Sequence, residues 1–450
     1  MADRRAAMQH GGRAAKVSPH SRSSLYGGSV QDVLHMQRIQ YLDGLRGWAA
    51  LFVLFHHLLL AFSPDGQESV LHTSPVSAPL GFLTDGPLAV AIFFILSGIV
   101  LTAAVTSAQE SSLPRGSHPG LGPLLLKRWL RLGIPIFVAG LLVLMLFAVG
   151  LDRSIAIGWA SESSFMRSFF PPGYEPTLLL VLKEAFAGAF LGPTPPHDPV
   201  LWTIRIEFAG SVLVFLLALL LPAGRLRLMA ALTVGVALAF VPPAWPSRLA
   251  PDGSLGWIGN YCALFALGVA LFELLRWDRR RAASQNIHWR DALGFTLLAL
   301  GLVLYPLFGI RVYDVAAVPP AIGAAPLLGG SQLRAALVVA GVLLSPGLQR
   351  FLGNATSAFL GRVSFGLYLL HAPLIWSIGG LAYFPLAALL DHWPAAVLAS
   401  LAVILLSLVL AALFHRWIEQ PSMRVSARAA ALLAGRSQTL RQPQTTATPV

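Results

Sequence analysis

Arg46 and His57 are the first residues whose types and spacing point to chemistry. They stand eleven positions apart in YLDGLRGWAALFVLFHHLLLAF. In an α-helix eleven residues make three turns plus about 20°, so the two side chains share one face, with His57 about 16 Å further along the axis. His56 falls about 80° off that face. A guanidinium at the mouth of a site suits a phosphate-bearing ligand, because its planar fork pairs with two oxygens at once. An imidazole at depth suits proton abstraction, because it titrates near working pH. A snorkelling arginine and a histidine satisfied by a neighbouring helix would produce the same spacing. Arg205, Glu207, Glu273 and His371 also lie inside long apolar stretches, where a charge is costly and points to function. His371 falls in the middle of its stretch and Glu207 near the outer end of its own. Glu273 lies near a helix end beside Arg276, which reads as a plain interfacial ion pair.

The elements that must position these residues are membrane helices. Of 450 residues, 56% are hydrophobic and only 12% charged, and the mean hydropathy is +0.68. Soluble domains carry roughly 25% charged residues, so this chain cannot cover a water-facing surface. Its apolar residues run in blocks long enough to cross a hydrocarbon layer about 30 Å thick. The expected fold is an all-α integral membrane bundle of about ten spans, near 45–63, 86–106, 132–150, 200–221, 226–242, 255–275, 292–310, 333–348, 363–384 and 394–414. The apolar piece 177–191 carries Lys183 and Glu184 and reads as a short interfacial or re-entrant helix.

Charge tests this count. With both termini in the cytoplasm, the cytoplasmic segments hold twenty-four of the thirty-two Lys and Arg residues and the opposite segments six. That asymmetry is the positive-inside pattern, and it explains the net charge of +12 without nucleic acid. Residues 1–40 contain no apolar leader, so the first span is expected to serve as an uncleaved signal. The basic tail 1–38 and the tail 425–450 read as disordered, flanking one transmembrane domain over 39–424. The loop 151–199, rich in Pro, Gly and aromatics, is either a lid over the outer face or a connector. Cys262 is the single cysteine, lies in an apolar block and reads as packing. The sequence offers no Ser-His-Asp order, no metal-ligand cluster and no Gly-rich nucleotide loop.

Six segments, in order, resemble the acyltransferase 3 family of membrane acyltransferases. LDGLRGWAALFVLFHH resembles its opening signature, an Arg and a His separated by ten residues, which selects Arg46 and His57. GPLAVAIFFILSGIVLT resembles its FF-x-LSG motif, here Phe93, Phe94, Ser97 and Gly98. LLLKRWLRLGIP resembles its RxxR segment, here Arg128 and Arg131. LWTIRIEFAGS resembles its W-x-x-x-x-E segment, here Trp202 and Glu207. VSFGLYLLHAPLI resembles its SY-x-x-YLxH segment, here Ser364, Tyr368 and His371, and HRWIEQPSMR resembles its close, with Glu419 and Pro421. Two positions depart from the pattern: Arg205 stands where a small or apolar residue is usual, and Phe365 replaces a tyrosine.

The resemblance implies an enzyme that moves an acyl group, most simply acetyl, from cytoplasmic acyl-CoA to a hydroxyl of a glycan, glycolipid or small hydrophobic metabolite. Acyl-CoA is then a donor substrate; no bound cofactor and no metal are expected. Arg46, Arg128 and Arg131 fall on the cytoplasmic side and are assigned to the donor. His57 is assigned as general base or transient acyl carrier, with Glu207 and His371 completing the catalytic group. The expected membrane is a bacterial inner membrane or a eukaryotic ER or Golgi membrane. The competing function is a secondary transporter with a buried His/Arg/Glu path for protons or anions; the paired internal repeats with matching broken helices that such proteins often carry are not seen in the sequence.

Overall fold

A computed structural model describes residues 30–64, 78–111, 120–192, 198–241, 254–281, 287–303 and 330–439. Among these residues the chain is helical throughout, with no strand. The helices used below are α1 (Val30–Phe62), α2 (Gly86–Ser111), α3 (Leu121–Ala148), α4 (Ser154–Ala160), α5 (Ser164–Arg167), α6 (Leu178–Lys183), α7 (Trp202–Leu220), α8 (Arg225–Ala239), α9 (Ser254–Arg281), α10 (Ile287–Val303), α11 (Gly330–Leu344), α12 (Pro346–Leu352), α13 (Ala355–Leu374), α14 (Gly380–Ala387), α15 (His392–Phe414) and α16 (Gln420–Thr439).

Seven of the described segments are long and apolar enough to cross a membrane, and eight if α11 and α12, bent by 98° at their junction, count as one span. They lie at Gln40–Phe62, Gly86–Glu110, Leu121–Ala148, Pro199–Leu220, Ile258–Asp278, Ala355–Ala387 and His392–Gly435. The stretches expected as spans near 226–242, 292–310 and 333–348 are helices α8, α10 and α11, of 15, 17 and 15 residues; residues 304–310 lie outside the described residues. The expected tail boundaries at 38 and 425 fall within α1 and α16, while 1–29 and 440–450 lie outside the described residues. Large apolar side chains such as Leu216, Leu220, Val236, Phe240, Leu405, Val409 and Leu413 point outward, as a lipid-facing surface requires. The piece 177–191 is helical: Thr177 caps α6, a π-helical turn follows over Glu184–Gly188, and helix resumes at Ala189–Leu191.

α1 and α13 form the core of the bundle and pack against each other more extensively than any other pair. Small residues make that approach possible. A Cβ on Gly47 would stand 2.4 Å from the Gly361 nitrogen, and one on Gly361 would stand 2.4 Å from the Asp43 carbonyl oxygen. In lipid there is little hydrophobic drive between helices, so backbone-to-backbone contact of this kind supplies the packing. It also fixes the register that sets His57 of α1 against His371 of α13.

The C-terminal end of α1 is built into the loop that follows α3. The last carbonyls of a helix have no partner within it. Here Ser63 N–H donates to Leu59 O, Ser163 Oγ to Leu60 O and Ser161 Oγ to Ala61 O, while His392 Nε2 contacts Phe62 O at 2.9 Å. The loop 151–192 is therefore part of the folded body, and α5 carries Phe165 to a ring-centroid distance of 5.6 Å from His57.

Candidate active site

His57 and His371 meet across the α1–α13 interface, with His371 Nε2 3.2 Å from His57 Nδ1. His371 is fully buried, and His57 keeps part of its surface accessible. Each ring also folds back on its own helix. His371 Nδ1 lies 2.7 Å from Tyr368 O and 3.2 Å from Leu367 O, and His57 Nδ1 lies 2.9 Å from Val53 O. A carbonyl only accepts, so both Nδ1 atoms carry the hydrogen when the rings are neutral. His371 Nε2 then accepts from His57 Nδ1–H, and His57 Nε2 is left with its lone pair. That is the nitrogen a general base needs.

His56 has a different place. Its Nδ1 lies 2.8 Å from Thr84 O, and its ring fills the space above Gly86, where a Cβ would come within 2.5 Å of it. His56 is buried and braces the turn that starts α2, whereas its angle off the Arg46 face alone would leave it on a lipid- or helix-facing side.

About 16 Å back along α1, Arg46 lines a cavity of about 330 Å³ shared by α1, α3, α13 and the α15–α16 junction. Arg128, Arg131, Arg362 and His415 also line it, with Asp43 and Glu419. Cations outnumber carboxylates, so the cavity favours an anion. Among the described residues, neither Arg46 nor Arg131 is hydrogen bonded to a protein acceptor, which leaves both guanidinium forks available to a ligand. Ser364 and Phe365 also line the cavity; His371 lies seven residues further along α13, roughly 10 Å.

Arg128 is engaged differently from Arg131. Its Nη2 pairs with Glu207 Oε1, and its Nε donates to Ser211 Oγ at 3.0 Å. Ser97 Oγ donates to the same Glu207 oxygen at 2.7 Å. One buried network therefore joins the LSG, RxxR and W-x-x-x-x-E segments on α2, α3 and α7. Glu207 is bonded there and to neither histidine, so the expected catalytic trio of His57, Glu207 and His371 comes together only as the two histidines. Both arginines line the cavity, about 60° apart on α3, but Arg128 is already held by Glu207 and Ser211 while Arg131 has no protein acceptor among the described residues.

Tyr368, one turn before His371, links α13 to the start of α7. Its hydroxyl contacts Thr203 Oγ1 at 2.6 Å and donates to Val200 O. Asp198, buried just before α7, accepts from Val200 N–H at 3.2 Å. Burial pushes its carboxyl well above the usual carboxylate range, against the opposing pull of that N–H.

Two buried ion pairs fell outside the residue-by-residue reading. Glu273 pairs with Arg227 at 3.1 Å, both side chains being buried, while Arg276 pairs with Glu110 at 2.8 Å; the expected Glu273–Arg276 pair is thus replaced by two longer-range ones. Arg334 pairs with Asp85 at 2.5 Å, and Asp85 also accepts from Leu88 N–H at the start of α2. Arg227 and Arg334 sit at helix ends, where sequence alone makes them indistinguishable from loop charges. Among the described residues no group of three or more His, Cys, Asp or Glu side chains could hold a metal ion.

The profile of a family described as an acyltransferase domain matches residues 39–414. The chain is 23% identical over 429 residues to the O-acetyltransferase PaAT-1 of Phomopsis amygdali, covering 86% of this chain and 83% of that one. It is 28% identical over 421 residues to the acyltransferase MdmB of Streptomyces mycarofaciens, covering 87% and 93%. A Bacillus subtilis (strain 168) protein provisionally named as the peptidoglycan O-acetyltransferase YrhL is 24% identical over 351 residues, 76% of this chain and 49% of that one. No solved structure matches the chain.

Proposed function

We propose, from the premise that this chain belongs to the acyltransferase 3 family and is a multi-pass membrane acyltransferase, that it transfers an acyl group, most simply acetyl, from acyl-CoA to a hydroxyl. The observation that carries the proposal is the alignment on one helix of a cavity arginine, Arg46, with a histidine, His57, whose Nε2 is free to take a proton. The donor's phosphates bind at Arg46 and Arg131 on the cytoplasmic side, and the thioester reaches toward His57 on its flexible arm. This sidedness goes with a topology of about ten spans and both termini in the cytoplasm, in a bacterial inner membrane or an ER or Golgi membrane.

The chemistry follows from the tautomer. His57 Nε2 accepts the proton of the acceptor hydroxyl as its oxygen attacks the thioester carbonyl. The tetrahedral adduct collapses, the C–S bond breaks, and the departing thiolate takes the proton back from His57. His371 accepts from Nδ1–H throughout and strengthens that bond as His57 becomes an imidazolium, which is the role a triad's third member plays for its histidine. Glu207 holds Arg128 and thereby α3 and its Arg131; it acts by positioning.

The names of the two relatives covered over most of their length, an O-acetyltransferase and an acyltransferase, support this reading. The test is ester formation by the purified protein in nanodiscs, supplied with labelled acetyl-CoA and a panel of alcohols. Label in an alkali-labile ester, with one free CoA thiol released per ester, is expected. Proton or anion movement across proteoliposomes with no consumption of any acyl-CoA would replace this function with transport.

A further inference from the structure

Beyond His57, on the side away from the arginines, the chain builds a second grouping that the chemistry above does not use. A ladder of rings leads to it. Phe165 lies 5.6 Å from the His57 ring, Phe169 5.6 Å from Phe165, and Phe170 4.9 Å from Phe169. Phe170 stacks on Tyr174 at 5.1 Å with the two planes within 2° of parallel. Phe147, from the end of α3, and Trp376, from the π-helical turn Ile375–Gly379 after α13, stand edge-on to Phe170 at 5.0 and 5.4 Å. Phe147 also meets Tyr174 at 5.4 Å and Trp376 at 5.7 Å.

Within this apolar grouping two hydrogen-bond donors are buried without a protein partner among the described residues, the Tyr174 hydroxyl and Trp376 Nε1. Buried Tyr and Trp normally find an acceptor for the O–H or N–H. Here two that do not are grouped around the same pair of phenyl rings. Tyr174 remains a donor at any working pH, since burial, reinforced by the charges of Asp198 and Glu184, raises its phenol above the ordinary tyrosine range. Of the described residues, no basic side chain stands among these four rings, so nothing in the grouping itself favours an anion. An unmet donor pair among aromatic faces calls for a neutral molecule with flat or cyclic apolar surface and at least one acceptor oxygen. A sugar would bring many hydroxyls to a place that offers two partners, and each unmet one would carry a desolvation cost.

We propose that Phe147, Phe170, Tyr174 and Trp376 form the acceptor subsite and that it takes a ring-bearing apolar alcohol with a second, ether-like or carbonyl oxygen held by Tyr174 and Trp376. This deepens the acyltransferase reading and rests on it. The acceptor then approaches His57 along the phenylalanine ladder while the donor approaches from the arginine cavity, so the two substrates meet at the histidine pair from opposite ends.

The test uses the full chain in nanodiscs with acetyl-CoA and three acceptors: 4-chromanol, 1-tetralol, which lacks only the ring oxygen, and methyl glucoside. Wild-type protein is expected to have a lower KM for 4-chromanol than for 1-tetralol, and both should be preferred to methyl glucoside. Tyr174→Phe and Trp376→Phe should each erase most of the chromanol advantage, raising its KM about five- to twentyfold, the size of one lost hydrogen bond, while the KM for acetyl-CoA moves less than twofold. Tyr174→Phe lies in a loop and tests the claim even if Trp376→Phe misfolds. An undiminished chromanol advantage in Tyr174→Phe, or a preference for methyl glucoside, overturns the subsite. Wild-type protein that consumes no acetyl-CoA with any alcohol overturns the acyltransferase reading, and this one with it.

Discussion

His371 Nε2 lies 3.2 Å from His57 Nδ1 across two helices whose glycines bring their backbones into contact. Because both Nδ1 atoms also face main-chain carbonyls of their own helices, this contact has one polarity. His371 accepts, and His57 presents Nε2.

The first prediction follows from that polarity. His371→Ala removes the acceptor that stabilises His57 as it becomes an imidazolium, and kcat should fall by about a hundredfold, within the range for weakening a general base. The KM for acyl-CoA should stay within about twofold. His371→Gln can offer its side-chain oxygen to the same N–H, so it should recover part of kcat where Ala does not. Steady-state kinetics on the two variants checks this; equal activity of Ala and Gln would show that His371 only fills space.

The three arginines should separate by phenotype. Arg46→Ala and Arg131→Ala should raise the KM for acyl-CoA and leave thermal stability close to wild type. Arg46→Lys should regain part of the affinity if a point charge suffices and little if bidentate phosphate binding matters. Arg128→Ala should instead destabilise the protein by about 3 kcal/mol or more, because it leaves Glu207 buried and unpaired. Arg128→Ala combined with Glu207→Gln should be less destabilised than Arg128→Ala alone. Detergent-solubilised melting curves distinguish the two classes.

His56→Ala is expected to be a stability variant. It takes away the contact to Thr84 O and opens space above Gly86, a loss of about 1–3 kcal/mol. Transfer by the folded fraction should remain within a few-fold of wild type. Loss of turnover without loss of stability would place His56 in the chemistry.

Asp198→Asn tests the buried acid before α7. Its folded carboxyl titrates well above the ordinary value of 3.8 because of burial. A raised acid favours folding while it is protonated, and that contribution fades as pH rises from the ordinary value through the raised one. The variant keeps an oxygen for Val200 N–H and cannot ionise. It should therefore be more stable than wild type at pH 8 and closely similar at pH 4, as read by thermal unfolding at the two values.

Much of this site was legible in the sequence because helical periodicity is. Eleven residues of α1 were enough to put Arg46 and His57 on one face and His56 off it. The long apolar helices were equally readable from block length, although α8 ends at Ala239 and the stretch near 333–348 bends by 98° between α11 and α12. What periodicity cannot supply is the partner across an interface. Glu207 is bonded to Arg128 and Ser97, which precede it by 79 and 110 positions, and Glu273 to Arg227 instead of the nearby Arg276. Asn354 matches a glycosylation sequon, yet its side chain accepts from Ser357 N–H at 2.8 Å as the cap of α13, a role the tripeptide pattern does not reveal. The loop 151–199 read as lid or connector because its capping serines contact α1 about a hundred positions away.

The measurement closest to the central claim is CoA release by His57→Ala beside wild-type protein and His56→Ala, in nanodiscs, at matched amounts of folded protein, with acetyl-CoA and an alcohol acceptor. Loss of the base that takes the hydroxyl proton should lower transfer by at least about a hundredfold in His57→Ala, with acyl-CoA affinity retained and His56→Ala within a few-fold of wild type. Transfer by His57→Ala at the wild-type rate would contradict the account.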